Sequence, residues 1–247
     1  MRPLLLINPN TNSKTTQEMV EIAQRSAGPG QRVEGATAAS GASLISDSEK
    51  LSASAAEVIS LAGQADPETY SGIIISAFGD PGLGHLQKSL SIPVTGIAEA
   101  GIIEAARGRR RFSIVTTTPD LVTAIGKLVE NYGYTDQFAG VRLTKGDVDS
   151  VMSQPALLEA SLAQACQVAV LEDAAEAIII GGGPLAVHAA ALRSRFSVPI
   201  IEPVPAAVRL AVERARALPV SGHRVAGIEQ PADRNAVVSF AGGAGAR

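Results

Sequence analysis

The sequence predicts an α/β protein with two pseudo-symmetric lobes, each a mostly parallel sheet flanked by helices, and a site in the cleft between the lobes. Residues 73–75 and 178–180 are both runs of three isoleucines, which are apolar on each face as a buried parallel strand requires. Each run breaks at once into a glycine- and proline-rich turn ahead of a helical pattern. Ligands of open α/β sheets bind where the strands end, because backbone N–H groups and helix N-termini converge there. The two turns therefore predict one site with two walls.

The two halves of the chain are related by an internal repeat. The isoleucine runs are 105 residues apart (178 minus 73), Pro93 and Pro199 are 106 apart (199 minus 93), and Pro9 and Pro119 are 110 apart (119 minus 9). Three matches in the same order indicate a duplication. The expected division is a first lobe of residues 1–98 and about 206–247, and a second lobe of residues 99–205.

Each predicted strand is a short apolar run that ends in turn residues, and each predicted helix is an amphipathic segment after such a turn. Asn, Thr and Ser after the first strand are natural N-caps for a helix that carries Met19 and Ile22. Residues 37–48 are mostly small and polar, and they predict a loop that could cover the site. The predicted strands are residues 3–7, 32–36, 73–75, 93–97, 112–116, a segment around 141, 178–180, 198–201 and 225–228, and about the last ten residues are a predicted tail. The predicted later helices are residues 51–62, 83–89, 99–107, 121–132, 155–172 and 206–218.

Composition narrows the class of protein. The 247 residues are 46% hydrophobic and 18% charged, with a formal net charge of -3 and a pI near 5.7, so nucleic acid is not an expected partner. No segment approaches the roughly 18 apolar residues of a membrane span, and the first apolar run is too short for a signal peptide. These features predict a cytoplasmic protein with a small-molecule substrate and no membrane partner. A homo-oligomer is also expected.

Two further features have simple structural interpretations. Cys166 is the only cysteine, which excludes an intrachain disulfide, and its place within a predicted helix favours a buried apolar residue. Four arginines within residues 107–111 predict an exposed, solvated loop, with an oligomer contact as the alternative.

The strand ends carry the candidate ligand-binding groups. Backbone N–H groups of residues 77–79 and 181–183 can receive the oxygens of a carboxylate, imide or enolate. Polar side chains at facing strand ends can add directed hydrogen bonds, although helix capping is an equal alternative for the two asparagines. The substrate-binding candidates are Asn8, Asn10, Ser76, Phe78, Gly79, Thr117, Thr118, Gly181, Gly183 and Pro184.

Four segments together resemble the Asp/Glu/hydantoin racemase superfamily, and within it the hydantoin and allantoin racemase branch. They are LINPNT at residues 6–11, FGDPGL at 78–83, the threonine pair at 116–117 and the glycine turn at 181–183. The resemblance covers residues 1 to about 215. It implies an isomerase that needs no metal or organic cofactor and acts on a small cyclic imide, a ureide or a related amino-acid derivative. It also implies two cysteines on opposite cleft walls, one removing the α-proton and the other delivering a proton to the opposite face.

The chain departs from this family at both catalytic positions. The first cysteine position corresponds to Ala77 and the second to Gly182, and neither residue can give or take a proton. One interpretation is that Ala77 replaces a catalytic cysteine by design while Gly182 is native. A second is other chemistry that uses Ser76, Asp80 or a histidine. A third is a carboxylate- or imide-binding protein without turnover.

The alternative acid–base residues each have a simpler explanation. Asp80 precedes Pro-Gly and is an ordinary turn former. His85 and His188 each lie about one turn into the helix after a glycine loop, where surface or packing roles are commoner than catalysis. Glu202 follows the last strand and is a further candidate for the cleft. If only position 77 carried a thiol, the site would suit amide hydrolysis, cis–trans isomerisation or decarboxylation.

Overall fold

The structure, a computed structural model, describes residues 1–217. The predicted strand at 225–228 and the predicted tail lie outside the described residues. Eight strands form two separate four-stranded sheets with the orders β2-β1-β3-β4 and β6-β5-β7-β8. The strands are β1 (Leu4–Asn8), β2 (Val33–Thr37), β3 (Gly72–Ile75), β4 (Val94–Gly96), β5 (Phe112–Thr116), β6 (Phe138–Leu143), β7 (Ala177–Ile180) and β8 (Ile200–Ile201).

The two sheets are built on the same plan. Every strand pair among the described residues is parallel, and the order of the first four strands is repeated by the last four. The central strand β1 pairs Ile7 with Ile75, and its counterpart β5 pairs Val115 with Ile180. The predicted α/β class with two similar lobes is therefore confirmed. The residue boundaries proposed for the lobes stay a prediction.

Helices follow the strands, and three of the described helices begin at a side-chain cap. Asn12 accepts a hydrogen bond from the N–H of Thr15 at 3.2 Å, and Asp47 accepts one from the N–H of Lys50 at 2.8 Å. The short helix over residues 148–152 was not predicted, because five residues are too few to show a helical periodicity. The helices are α1 (Ser13–Ser26), α2 (Ser48–Gly63), α3 (Leu83–Ser89), α4 (Ile97–Ala105), α5 (Val122–Asn131), α6 (Val148–Met152), α7 (Pro155–Glu172), α8 (Ala186–Leu192) and α9 (Pro203–Ala217).

The isoleucine strands are buried on both faces, as predicted. Ile74 and Ile179 face a central core between the two sheets, to which helices α1, α4, α5 and α9 contribute. Ile73 and Ile75 face the opposite way, toward apolar side chains of α2 and α3. Ile178 faces a third cluster, formed with α7 and α8. Because the two sheets share one central core, the strand ends of both lobes are held close to one another.

Helices α4 and α9 connect the two lobes. A Cβ atom on Gly101 of α4 would lie 3.4 Å from Ile179 and 3.8 Å from Pro203, so α4 packs closely between the second sheet and α9. Arg214 of α9 forms two hydrogen bonds with the Glu99 carboxylate, at 2.7 and 2.8 Å. Helix α9 also packs against α1, β3 and β4. The last described helix therefore returns to the first sheet.

The lone cysteine and the arginine cluster both have structural roles. Cys166 is fully buried, as predicted, and burial raises the pKa of its thiol to about 12, which keeps it unreactive. Arg107 and Arg109 are exposed, in agreement with the predicted loop. Arg110 differs, because it donates to the carbonyl oxygens of Glu104 and Ala105 at the end of α4.

One buried hydroxyl yields a stability prediction. Ser113 of β5 is fully buried, and its Oγ has no hydrogen-bond partner among the described residues. We expect Ser113→Ala to raise the free energy of unfolding by about 1 kcal/mol, because an unsatisfied buried hydroxyl is destabilising. Urea unfolding measures the change. Ser76→Ala is the matched control, since that buried hydroxyl donates to the Ile7 carbonyl oxygen at 2.8 Å and its loss should destabilise. Equal destabilisation by both variants would contradict the prediction.

Candidate active site

A cleft lies where the carboxyl ends of β3, β5 and β7 meet, and its volume is about 60 Å³. Both lobes contribute to its walls, as the two glycine turns predicted. The lining residues are Asn10, Leu44, Ile45, Leu51, Ser76, Ala77, Phe78, Thr116, Thr117, Thr118, Leu121, Ile125, Val148, Met152, Gly181, Gly182, Gly183, Pro184 and Leu185.

The two turns touch each other, and glycine makes this contact possible. A Cβ atom on Gly181 would lie 2.8 Å from a methyl group of Ile114 and 3.1 Å from the ring of Phe78. A Cβ atom on Gly183 would lie 3.0 Å from the carbonyl oxygen of Ser76. All three distances are shorter than the contacts that a side-chain Cβ atom normally makes. Ala77 and Gly182, the two positions where the sequence resemblance implies cysteines, line the same cavity.

Four backbone N–H groups at these turns are unpaired among the described residues. The N–H groups of Ala77 and Phe78 on one wall, and of Gly182 and Gly183 on the other, have no acceptor among the described residues. The N–H of Gly181 differs from the prediction, because it donates to the carbonyl oxygen of Val115 at 2.8 Å and continues the β5–β7 ladder. The binding groups are thus two N–H donors on each wall.

Side chains add a small number of polar groups. Asn10 accepts hydrogen bonds on Oδ1 from the Asn8 amide and the N–H of Asn12, both at 2.9 Å, which leaves its Nδ2 without a partner among the described residues. The hydroxyls of Thr116 and Thr118 lie 3.2 Å apart, and Thr117 Oγ1 contacts the Met152 sulfur at 3.8 Å. Asn10 and the threonines can therefore donate to a bound molecule.

Three predicted binding residues have mainly supporting positions. Asn8 is fully buried, and its amide donates to Asn10, to Thr16 and to the carbonyl oxygen of Asn12, so it holds the turn instead of reaching the cleft. Gly79 does not line the cleft, because its position is packed against Leu51. Ser76 lines the cleft, but its hydroxyl donates to the Ile7 carbonyl oxygen. The remaining predicted residues lie together at the cavity.

Much of the cleft wall is formed by apolar residues that were not among the predicted binding residues. Leu44 and Ile45 come from the loop that was predicted to be long enough to cover a site, and the structure confirms that this loop reaches it. An apolar pair within an otherwise polar loop was the available signal. The other apolar residues come from helices that the repeat alone could not orient; they are Leu51, Leu121, Ile125, Val148, Met152 and Leu185.

No ionisable side chain is among the described residues that line the cleft. His85 is exposed on α3, and His188 is half-buried on α8, outside the lining. Glu202 forms an ion pair with Arg193 at 3.2 Å, also outside it. The side-chain acids and bases that the sequence offered as substitutes for thiols therefore do not face the cavity.

Asp80 is buried near the cleft but faces away from it. Its carboxylate accepts hydrogen bonds from the N–H groups of Ala98 and Glu99 at 3.0 and 2.6 Å, and from the Tyr132 hydroxyl at 2.7 Å. Burial raises the pKa of Asp80 to about 7, and the three donors oppose that rise. Its backbone has a φ of 48°, which fits the predicted turn. Asp80 thus joins the turn to the N-terminus of α4.

Within residues 1–217 no group of three or more His, Cys, Asp or Glu side chains is placed to hold a metal ion. None of the helices in the same range has the length and hydrophobicity needed to cross a bilayer.

Comparison with known proteins gives the class. The Asp/Glu/Hydantoin racemase family model matches residues 4–211. The chain is 31% identical to hydantoin racemase from Paenarthrobacter aurescens over 212 residues, which cover 84% of this chain and 89% of that protein. Its fold matches crystallised allantoin racemase from Pseudomonas fluorescens with a TM-score of 0.81 and 28% identity, covering 87% of this chain and 91% of that chain.

A two-lobed α/β racemase or isomerase is the class that this fold and cleft define. The chain belongs to the Asp/Glu/hydantoin racemase family. Within the family it lies in the hydantoin and allantoin racemase branch, as a second allantoin racemase, from Klebsiella pneumoniae, also indicates with a TM-score of 0.80 and 29% identity over 86% of this chain and 87% of that one. Unliganded arylmalonate decarboxylase, at 15% identity and a TM-score of 0.60, shares the fold alone.

The contact between the two turns predicts the effect of one substitution. We expect Gly181→Ala to lower the free energy of unfolding by about 1–3 kcal/mol, because its Cβ would overlap Ile114 and Phe78. Thermal and urea unfolding measure this loss. The matched control is Gly84→Ala, within α3, where a Cβ meets nothing within 4 Å and alanine favours the helix. Two variants of equal stability would show that the turns are not in close contact.

Proposed function

We propose that this chain is a hydantoin-racemase-type isomerase whose cleft binds a small cyclic imide or ureide with an apolar substituent. The observation that carries the proposal is a cavity lined by four residues whose N–H groups have no acceptor among the described residues: Ala77 and Phe78 of one turn, and Gly182 and Gly183 of the other. The substrate class and the state of the two thiol positions are the parts that the family membership leaves open.

The polar groups of the cleft suit a neutral ring that becomes an enolate. A five-membered cyclic imide presents carbonyl oxygens to N–H donors, and removal of its α-proton places negative charge on one of these oxygens. N–H groups aimed at that oxygen stabilise the charged form more than the neutral one, which is what lowers a barrier. The cleft has no cationic side chain among its described lining residues, so a dicarboxylate would lose hydration without gaining an ion pair.

The apolar wall supports a hydrophobic substituent on the ring. Leu121 and Ile125 from α5 and its preceding turn, Val148 and Met152 from α6, and Leu44 of the covering loop surround the space beyond the polar turns. An apolar group there is removed from water at roughly 25 cal/mol per Å² of buried surface. A ureido group in the same place would leave several donors and acceptors without partners.

Proton transfer is the step that the encoded residues do not supply. Racemisation breaks the α C–H bond, passes the proton to a base on one face and takes a proton from an acid on the other. With Ala77 and Gly182 at the two positions, the remaining base is water or hydroxide from solvent. Stabilisation of the enolate by N–H groups alone still accelerates exchange, as catalytic sites that have lost their acid–base residues retain part of their rate.

A second candidate function is binding without turnover. The absence of ionisable side chains among the described lining residues favours it specifically. Both candidates share the ligand and differ only in whether the α-proton exchanges. A homo-oligomer and a cytoplasmic location remain predictions from the sequence.

The thiol positions provide a direct test. We expect the double variant Ala77→Cys, Gly182→Cys to racemise a 5-substituted hydantoin at least about 100-fold faster than the encoded chain, since positioned acid–base groups contribute roughly 10²–10⁴. Loss of optical rotation and deuterium incorporation at the α-carbon measure the rate. The second cysteine needs the Leu185 side chain to move, because a Cβ at position 182 would lie 3.2 Å from it.

The control for this experiment keeps the shape and removes the thiols. Ala77→Ser, Gly182→Ser has nearly the same size but no group that ionises near neutral pH, so its rate should stay close to that of the encoded chain. If the cysteine variant is folded, binds the hydantoin and leaves its rotation unchanged, the isomerase proposal is wrong and binding without turnover remains. If no hydantoin binds at all, both candidates are wrong.

Ligand preference is tested separately on the encoded chain. We expect 5-methyl- or 5-ethylhydantoin to bind about 30- to 150-fold more tightly than allantoin, since unpaired ureido groups cost about 2–3 kcal/mol. Calorimetry with each compound measures this ratio, and malonate serves as the dianionic control. Equal or tighter binding of allantoin would contradict the role given to the apolar wall.

A further inference from the structure

The turn that carries the first wall of the cleft is tied to the second lobe by one side-chain hydrogen bond. Asp80 lies three residues after Ala77, and its carboxylate accepts a hydrogen bond from the hydroxyl of Tyr132 at 2.7 Å. Tyr132 follows α5, which belongs to the second half of the chain. Its ring packs against both the central core and the outer cluster of the first lobe. The tyrosine therefore reaches across the boundary between the two halves.

The space around Asp80 is shaped for its carboxylate. Gly96, the residue before α4, lies so close that a Cβ atom there would overlap the Asp80 carboxylate. Two N–H groups in the first turn of α4, those of Ala98 and Glu99, donate to the two carboxylate oxygens. The N-terminus of a helix favours a negative charge at this place. The Tyr132 hydroxyl completes a set of three donors around one buried acid.

The second acid near Asp80 and Tyr132 is paired with a cation. Glu99 of α4 is the second acid, and it is bound by both terminal nitrogens of Arg214 from α9. Burial, followed by the nearby Asp80 charge, raises the pKa of Tyr132 above its usual range, so its hydroxyl stays protonated and can donate. An ionised Asp80 can accept all three hydrogen bonds. A protonated Asp80 must use one oxygen as a donor, and Tyr132 alone among its three partners can accept.

We propose that Asp80 and Tyr132 are positioning residues, which hold the N–H groups of Ala77 and Phe78 toward the facing turn of the second lobe. The backbone of residues 77–82 makes no hydrogen bond to the second lobe among the described residues. Its bonds stay local and join Asp80 to Ala77, Leu83 to Asp80, and His85 and Leu86 to Gly82. The position of the turn relative to the second lobe is therefore set by the Asp80 side chain and by the close contact at Gly181. The effect on ligand binding rests on the proposed function, whereas the effect on the turn does not.

The test compares two tyrosine variants of the full chain. Tyr132→Phe removes the hydroxyl and keeps the ring. Tyr134→Phe is the matched control, because Tyr134 is also partly buried against the core and its hydroxyl has no hydrogen bond among the described residues. Three quantities are measured: the Asp80 carboxyl titration by carbon NMR, amide hydrogen exchange of the peptide containing residues 77–79, and thermal unfolding.

In Tyr132→Phe we expect the midpoint of the Asp80 titration to move upward from about 7 by about one to two pH units, since a donor to the ionised form has been lost. Amide exchange at residues 77–79 should rise at least 10-fold, while the rest of the chain and the control variant stay unchanged. In an Asp80→Asn background the same tyrosine change should have no further effect on exchange, because the two side chains act as one unit.

Two results with Tyr132→Phe would overturn the proposal and leave Tyr132 as a packing residue. One is an unchanged midpoint of the Asp80 titration, and the other is amide exchange that rises equally along the whole chain. A hydantoin titration separates this proposal from the proposed function. If the hydantoin binds the encoded chain, Tyr132→Phe should weaken binding about 10-fold or more relative to Tyr134→Phe, and equal affinities would overturn the positioning role. If the hydantoin binds none of the proteins, the proposed function fails, and the NMR and exchange results still decide the role of the pair.

Discussion

The close contact between two strand-end turns is the constraint on which the rest of the structure depends. Residues 76–78 meet residues 181–183 because two glycines leave no side chain between them and the neighbouring lobe. This contact places N–H donors from both lobes on one cavity. The shared central core supports it from below, since inward-facing side chains of both sheets pack into one cluster. A cleft with two equivalent walls follows from these two features.

The two halves of the chain have the same strand order but differ in the residues at the N-termini of the equivalent helices α4 and α9. Asp80 in the first half corresponds to Leu185 in the second at the offset of 105 that relates the isoleucine runs (185 minus 80). In the first half, the N–H groups at the start of α4 are satisfied by the Asp80 carboxylate. In the second half, α9 begins with Pro203, and Pro205 follows, so two of its first three residues have no N–H to satisfy. The second half can therefore place an apolar side chain where the first needs an acid.

The sequence predicted the strands and the cleft because both depend on local patterns. Runs such as residues 73–75 are apolar on both faces and stop at a turn, which identifies a buried parallel strand without any knowledge of its neighbours. The repeat then implied that the two turns face each other. The sequence could not show that Asn8 bonds inward or that the N–H of Gly181 is used by the sheet, because those facts depend on which partners tertiary packing brings near. The apolar wall was missed for the same reason, since the orientation of α5 and α6 is set by long-range contacts.

Recognition in this cleft depends largely on main-chain atoms, and these do not change when a side chain is replaced. The amide donors of Ala77 and Gly182 belong to the main chain, so they do not depend on which acid–base side chain, if any, these two positions carry. Ligand binding thus depends on the main chain of the two turns, whereas the reaction depends on the side chains at positions 77 and 182. A scaffold of this kind can lose or acquire a reaction through two positions while the molecule it retains stays the same.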